Sequence, residues 1–241
     1  MGDKKMLENL SVYREEKKYY VSYLEAESLK MTFSKLLQED EYSKKQDGYT
    51  IRNVYFDSIN NMDFNTKLAG TLERKKIRLR IYDIHDKKAK LEMKKKYGEL
   101  QHKISVWISK DEALQLLKGE YHILKKYFHE SQDALEIYTI MTLGGYKPVC
   151  MIEYKRKAYI YPAFNTRITL DSNIRASEVD FSIFKKNPNY NVINNNQAIL
   201  EVKYNQKLMG VIKDVLKPYH LVPESISKYT ISRRIFYDFN Y

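Results

Sequence analysis

The chain has 241 residues, with 42 Lys and Arg against 31 Asp and Glu, so its formal net charge is +11. Because 43% of the residues are hydrophobic, disorder of the whole chain is excluded, and the length suits a single domain. No apolar run approaches the roughly 20 residues of a membrane-spanning helix, and the N-terminal sequence lacks the apolar stretch of a signal peptide. We therefore expect a soluble, cytoplasmic protein with an anionic partner.

The cysteine and histidine content limits the metal chemistry. Cys150 is the single cysteine, which excludes an internal disulfide and a zinc site built from several thiolates. The five histidines show no metal-ligand spacing. A metal ion in this protein would therefore be a hard cation held by oxygen ligands.

The N-terminal quarter alternates between strand and helix patterns. Side chains alternate in residues 12–22 and again in 49–58, which predicts two strands. Between them, Ser22 and Glu25 form a capping box that starts a helix ending near residue 38. A short polar segment at 61–68 is predicted to be helical.

The next three predicted strands form the most informative region. In residues 72–83 the apolar Ile77, Leu79 and Ile81 share one face, and the opposite face is purely basic apart from Tyr82. Strands at 88–98 and 100–109 follow, joined by a turn at Gly98. These segments are typical of antiparallel hairpins.

The second half contains a helical insert between strands. A capping box of Ser109 and Glu112 starts a mostly helical segment, 111–143, that ends at a glycine pair. Strands are predicted at 147–161, 165–174 and 198–206, with a polar loop at 184–197 and a helix at 209–216. No element is assigned to the terminal segment 225–236.

The alternation has two explanations. In a half-exposed sheet, apolar residues face the core and charged residues face water. A closed barrel that has helices outside and inward-pointing charges gives the same pattern. Helices at 24–38, 111–143 and 207–216 are available to cover such an exterior. The polar strand faces would then line a tunnel.

The charge of that tunnel would be strongly positive. Ten cationic side chains would face three glutamates, a net charge of +7 that calls for a polyanion. Arginine forks match phosphate oxygens, and the glutamates suit a divalent cation that bridges carboxylate and phosphate. The cations are Arg14, Lys18, Arg78, Arg80, Lys94, Lys103, Arg156, Arg167, Lys203 and Lys228, and the glutamates are Glu16, Glu92 and Glu201.

Nine segments occur along the chain in an order that is strongly informative. They are REEKKYYVS, NVYFDS, KIRLRIYD, LEMKKK, the Lys103 strand, EYKRKAYI, TRITLD, ILEVKY and SKY. In these motifs the chain resembles the triphosphate tunnel metalloenzymes, specifically the polyphosphate polymerase domain of the vacuolar transporter chaperone (VTC) family in its stand-alone bacterial form. The resemblance implies an α+β fold with a closed antiparallel barrel of about eight strands and helices packed outside. It also implies one domain over 1–241, with a helical insert at about 111–143.

The resemblance further implies the site residues. Those implied to bind phosphate are Lys18, Arg78, Arg80, Lys94, Lys103, Tyr154, Arg156, Arg167, Lys203, Ser227 and Lys228. Those implied to act in catalysis are Arg78, Arg80, Lys94, Arg156 and Glu201. Glu201 resembles the metal-binding glutamate of the family, and Glu16 and Glu92 are further metal or network candidates. Arg14 departs from the Glu-x-Glu-x-Lys pattern of the triphosphatase branches.

A purely structural interpretation of these residues stays open. Lysines such as Lys18, Lys94 and Lys103 are commonly solvated on strand faces. Glu201 could simply form an ion pair with Lys203 or a nearby arginine, since structural networks also bury carboxylates.

The function implied by the resemblance is synthesis of polyphosphate from ATP, with Mn²⁺ or Mg²⁺ as cofactor. ATP and inorganic polyphosphate would be the partners, and a separate membrane protein could couple the reaction to translocation. One alternative is hydrolysis of tripolyphosphate or nucleoside triphosphates in the same tunnel, and another is a non-catalytic polyphosphate-binding module. Nucleic-acid binding is disfavoured because the basic motifs lie on strands rather than on one exposed helix or patch.

Overall fold

The computed structural model describes residues 14–43, 48–98, 100–194 and 196–238, which contain one large antiparallel sheet. Residues 12–13 of the first predicted strand lie outside the described ranges. Within those ranges the strands are β1 (Arg14–Ser22), β2 (Gln38–Glu39), β3 (Tyr49–Asp57), β4 (Glu73–Ile81), β5 (Lys88–Tyr97), β6 (Leu100–Ser109), β7 (Lys147–Tyr161), β8 (Thr166–Ser177), β9 (Asn191–Asn194) and β10 (Gln197–Asn205).

Six α-helices accompany the sheet in the same ranges. Both predicted capping boxes are confirmed: the side chains of Ser22 and Ser109 accept N–H bonds, and Glu25 and Glu112 bond back to the serine N–H groups. None of these helices is both long and apolar enough to cross a membrane. The helices are α1 (Tyr23–Leu36), α2 (Met62–Leu68), α3 (Lys110–Leu117), α4 (Gln132–Leu143), α5 (Gly210–Leu216) and α6 (Lys228–Asp238).

The sheet is strongly curled. Its strand order is β1-β10-β8-β7-β3-β4-β5-β6, with β2 paired to β7 and β9 to β8. In a flat sheet, six strand spacings would separate β1 from β5 by roughly 29 Å. Instead, Glu16 Oε2 on β1 lies 3.8 Å from Lys94 Nζ on β5. The sheet therefore bends until its two ends face each other across a concave surface.

The predicted closure of the barrel is not seen. Among the described residues the backbone ladder ends at β1 on one side and at β6 on the other, and no pairing joins these two strands. The contact described across this opening is between side chains, Glu16 of β1 and Lys94 of β5. The fold is α+β with a large antiparallel sheet, as expected, but the sheet is open at this seam.

Two apolar cores cover the convex surface. Leu29 and Phe33 of α1 pack with Leu170 and Leu200 of the sheet, beside α5. The helical insert covers β4, β5 and β6 with a second core. The insert is helical as predicted but broken, because a 3₁₀ helix at Tyr121–Tyr127 separates α3 from α4.

Helix α6 packs on the concave side, which the sequence pattern does not predict. Tyr229 stacks on Tyr55 of β3 with 5.0 Å between ring centroids, and its hydroxyl donates to Asp57 Oδ2 at 2.6 Å. Ile226 joins the same buried cluster. One end of the concave surface is therefore apolar and filled. Strand β9 is a second difference, since it lies within the predicted polar loop at 184–197.

Candidate functional site

The concave surface carries facing pairs of opposite charge. The strand register sets Arg78 opposite Glu92, and Lys18 opposite Glu201. Side chains directly opposite on antiparallel strands share one face of the sheet and can interact. We call the charged side chains on this surface the concave cluster, and three groups within it are centred on carboxylates.

The first group is centred on Glu16 and Glu201, on neighbouring strands. Glu16 lies 2.9 Å from Lys18 Nζ and 3.8 Å from both Lys94 and Lys203, and Glu201 also contacts Lys203. Burial alone would raise the pKa of Glu201. The attraction of Lys203 and Lys18 outweighs burial and holds this pKa well below its usual range. Lys18, Lys203 and Lys94 likewise outweigh burial and the charge of Glu201 and lower the pKa of Glu16. Both carboxylates are therefore ionised at neutral pH.

The second group is centred on the buried Glu92 of β5. Its carboxylate accepts from Arg78 Nε at 2.9 Å, lies 3.5 Å from Arg80 and contacts Lys103. Burial would raise the pKa of Glu92, but Arg78, Arg80 and Lys103 together lower it to about 2. Arg80 also donates to the Asn53 side chain at 2.8 Å, which fixes the direction of its guanidinium.

The third group is centred on Asp171, which is fully buried. Arg156 donates to both of its oxygens, at 2.6 and 2.7 Å, and Lys228 of α6 lies 2.5 Å from one of them. Burial would raise the pKa of Asp171, and these two cations lower it overall. The Tyr154 ring lies beneath both cations, 5.4 Å from the Arg156 guanidinium and 4.7 Å from Lys228 Nζ.

A glycine lets β3 approach Arg156 closely. Gly48 has a φ of 75°, and a Cβ there would lie 2.1 Å from the Arg156 carbonyl oxygen. Any other residue would clash with the backbone and be strained in this left-handed conformation. Gly48 therefore allows Tyr49 to pair with Arg156 in register.

Lys76 and Lys18 contact the segment just before α6, beside the apolar end of the concave surface. Lys76 donates to Ser227 Oγ at 2.8 Å, and Lys18 donates to the Ile226 carbonyl at 3.1 Å. Burial, followed by the charges of Lys18 and Lys67, lowers the pKa of Lys76 to about 7. Burial and neighbouring positive charge together disfavour protonation of this lysine.

The structure brings the predicted residues together on one surface. All the predicted phosphate-binding positions lie on the concave faces of the strands or at the start of α6, whereas Arg14 is exposed at the outer end of β1. Arg167 lies farther toward one edge, 2.8 Å from Asp40. Their roles in binding and catalysis stay predictions.

The charged residues of this surface that the predicted set lacks include Asp171, Lys76 and Asp40. Asp171 shares its strand face with Arg167, and Lys76 shares its face with Arg78, so alternation was a usable signal for both. Asp40 follows the two-residue strand β2 and carries no periodic signal.

The carboxylates fit a divalent cation that arrives with phosphate. Among the described residues, no three Asp, Glu, His or Cys side chains group closely enough to hold a metal by themselves. Glu16 and Glu201 nevertheless lie close enough for their charges to interact, because burial and the charge of Glu201 both oppose the neighbouring lysines, which lower the pKa of Glu16 overall. Mg²⁺ is usually held by one or two carboxylates together with substrate phosphates and water. The pair suits such shared coordination because it offers two carboxylates on neighbouring strands, whereas Glu92 is a single carboxylate held by Arg78, Arg80 and Lys103.

Comparison with known proteins agrees with this arrangement. A family model described as the VTC domain matches residues 13–237. No curated protein matches the chain significantly. The fold is similar to that of a putative adenylate cyclase from Bacillus halodurans, at 14% identity and a TM-score of 0.51, over 89% of this chain and 94% of that one.

A second solved structure is similar to a comparable degree. It is a putative adenylyl cyclase from Hippeastrum with a dominant triphosphatase activity, at 13% identity and a TM-score of 0.56, over 91% of this chain and 94% of that one. At such identities, both similarities concern the fold alone.

Proposed function

The chain belongs to the VTC domain family, and from this premise we propose that it transfers the γ-phosphate of ATP to the end of a growing inorganic polyphosphate chain. The observation that carries the proposal is the excess of cations over carboxylates on the concave surface. Three of these cations, Arg78, Arg80 and Arg156, are arginines, whose planar guanidinium groups match phosphate oxygens. Arg156 already holds Asp171 with two of its nitrogens, so phosphate would share it with that carboxylate.

The lowered pKa of Lys76 supports an anionic ligand. Burial is the largest cause of this lowering, and the charges of the neighbouring cations Lys18 and Lys67 add to it. A chain of phosphates would supply the missing negative charge along the whole surface. We also propose that the curled sheet acts as a tunnel, with β1 and β6 flanking a bound chain.

The reaction needs no nucleophilic side chain. An oxygen of the terminal phosphate of the acceptor chain forms a bond to the γ-phosphorus of ATP. The bond between that phosphorus and the β–γ bridging oxygen breaks, and ADP leaves with the electron pair. Such a transfer depends on positioning and on stabilisation of charge.

The residues of the site have distinct parts in this scheme. Arg78, Arg80, Lys94 and Arg156 hold the phosphates in line and stabilise the charge that develops on the transferred group. Glu201, with Glu16 beside it, would hold Mn²⁺ or Mg²⁺. Such a cation neutralises phosphate oxygens when bound. The Tyr154 ring packs against two of the cations, Arg156 and Lys228.

The products of the reaction test the proposal. The protein is incubated with ATP and Mn²⁺ or Mg²⁺, and the products are separated on a polyphosphate gel. We expect chains that lengthen with time while ADP accumulates.

In Glu201→Gln, metal-dependent synthesis should fall on the order of 100-fold, with phosphate binding retained. Glu136→Gln is the matched control, since Glu136 contacts Lys95 away from the concave cluster. If Glu201→Gln made polyphosphate at the wild-type rate, Glu201 would have no part in the mechanism.

The second candidate function is hydrolysis of a triphosphate on the same surface. The structural neighbour from Hippeastrum, with its dominant triphosphatase activity, favours it. Water would then replace the chain end as the acceptor. Release of orthophosphate without longer chains would select this function over the polymerase, and binding of polyphosphate without turnover would show a non-catalytic module.

A further inference from the structure

Four aromatic side chains lie at the end of the concave surface opposite α6. Tyr42, Tyr49 and Tyr82 follow one another, with 6.1 and 6.3 Å between successive ring centroids. Trp107 lies near the end of β6, on the strand face that also carries Lys103. We call these four residues the aromatic rim.

Three of the four side chains of the aromatic rim are exposed, and Tyr49 is partly buried. Tyr42 is 71% exposed, Trp107 49% and Tyr82 37%. Large rings that leave this much apolar surface in water at one place commonly mark a binding site. Their accessible faces could stack on a planar group without any change in the fold.

The aromatic rim borders the cations of the concave cluster. The Arg80 guanidinium lies 5.9 Å from the centre of the Tyr82 ring, and Lys90 Nζ lies 5.3 Å from that of Trp107. The register sets Arg80 opposite Lys90 and Lys90 opposite Trp107. Arg167 also donates to the Tyr49 hydroxyl at 3.4 Å. Arg80 therefore lies beside Tyr82, and Trp107 lies two strand spacings from Arg80 on the same face, with Lys90 between them.

A ligand that matches both surfaces has a flat, uncharged ring system at one end and phosphates at the other. A nucleoside triphosphate has this chemistry. An apolar protein segment would match the exposed rings but would leave the neighbouring cations unpaired. The cations between the rings thus favour a nucleotide over a protein partner.

We propose that the aromatic rim is the nucleobase site of the protein, where the base of a nucleoside triphosphate stacks while its phosphates extend onto Arg80 and the concave cluster. The inference rests on the proposed function, for which it specifies how the donor is bound. Because stacking uses the faces of a base rather than its hydrogen-bonding edges, purine nucleotides should bind with little discrimination among them.

The fluorescence of Trp107 gives a direct test, because it is the single tryptophan of the chain. Emission is excited at wavelengths where adenine does not absorb, during titration with ATP or with inorganic tripolyphosphate. We expect ATP to quench Trp107 saturably and tripolyphosphate to change the emission much less. Calorimetry in the same buffer reports whether each ligand binds. Binding of ATP without a change in Trp107 emission, or equal changes with both ligands, would overturn the inference.

Variants of Tyr82 separate stacking from phosphate binding. Tyr82→Ala should weaken ATP binding about tenfold, within the range of base–aromatic stacking, and should leave tripolyphosphate binding unchanged. Tyr82→Phe keeps the ring and should keep the affinity for ATP. Tyr97→Ala is the matched control, because Tyr97 is also exposed but lies at the other end of its hairpin. Unchanged ATP affinity in Tyr82→Ala, as expected of a protein-docking surface, would contradict the nucleobase site.

These measurements distinguish failure of this inference from failure of the proposed function. ATP-specific quenching in a protein that makes no polyphosphate would overturn the polymerase and leave the nucleobase site in place. Conversely, equal loss of ATP and tripolyphosphate binding in Tyr82→Ala would overturn the nucleobase site, whatever the products on the gel. Absence of ATP binding to the wild-type protein would overturn the nucleobase site outright.

Discussion

Replacing Glu92 with glutamine should destabilise the protein in a pH-dependent way. The carboxylate is buried against Arg78, Arg80 and Lys103, which lower its pKa from 4.5 to about 2. At about 1.36 kcal/mol for each unit, this difference is worth about 3 kcal/mol of folding free energy. Since small proteins are commonly stable by only about 5–15 kcal/mol, the loss should be readily measured.

The sign follows from which state binds the proton more tightly. The unfolded chain takes up a proton on this glutamate near pH 4.5, whereas the folded protein resists protonation down to about pH 2. The stabilisation by Glu92 is therefore complete above about pH 5 and disappears as the pH falls toward 2. Glutamine cannot ionise and lacks this stabilisation at every pH.

Urea denaturation of both proteins at a series of pH values measures the effect. We expect Glu92→Gln to be less stable than the wild type by about 3 kcal/mol at pH 7, with the gap narrowing steadily below pH 5. Glu136→Gln, which alters a more exposed ion pair with Lys95, should show a gap of less than about 1 kcal/mol. A gap for Glu92→Gln that is small at pH 7, or that does not change with pH, would refute the reasoning.

Two further predictions concern groups with shifted pKa values. Burial raises the pKa of Asp63 to about 6, against the attraction of Lys75, so ionising it above pH 6 costs folding free energy. Asp63→Asn should therefore gain stability relative to the wild type as the pH rises from 4 to 7, up to about 3 kcal/mol, as measured by urea denaturation; a constant difference would contradict this. Because the pKa of Lys76 is about 7, tripolyphosphate should bind with uptake of a proton, and its affinity should fall as the pH rises from 7 to 9. Calorimetry in buffers of different ionisation enthalpy measures the proton uptake, and Lys76→Met should abolish it; the same uptake in the variant would assign the proton to another group.

Alternation was sufficient to predict which residues share a strand face. Lys76, Arg78 and Arg80 alternate with buried apolar residues, and a period of two places them on one side whatever the strand packs against. The contact between Arg78 and Glu92 needs the register of two strands, which the turn between them determines. Grouping by face was therefore within reach of the sequence, as was the ion pair of Glu201 with Lys203 on one strand, whereas partners on different strands were not.

Other features depend on structure that no local pattern encodes. Strand β9 has four residues in an asparagine-rich segment and exists because β8 supplies hydrogen-bonding partners. Whether β1 and β6 meet depends on the twist accumulated over the whole sheet. The position of α6 depends on Tyr229 fitting against Tyr55 and Asp57, which are far away in sequence.

The carboxylates of the concave cluster affect how an anion would bind there. Glu16, Glu92 and Asp171 each already contact at least two cations. At these three carboxylates an arriving anion would therefore compete with resident anions that are fixed to the protein and never diffuse away. Part of the negative charge that balances the cations of this surface is therefore supplied by the protein itself. Each displaced carboxylate can take its cation back, so a long anion could be passed from one cation to the next without ever being held strongly at one place.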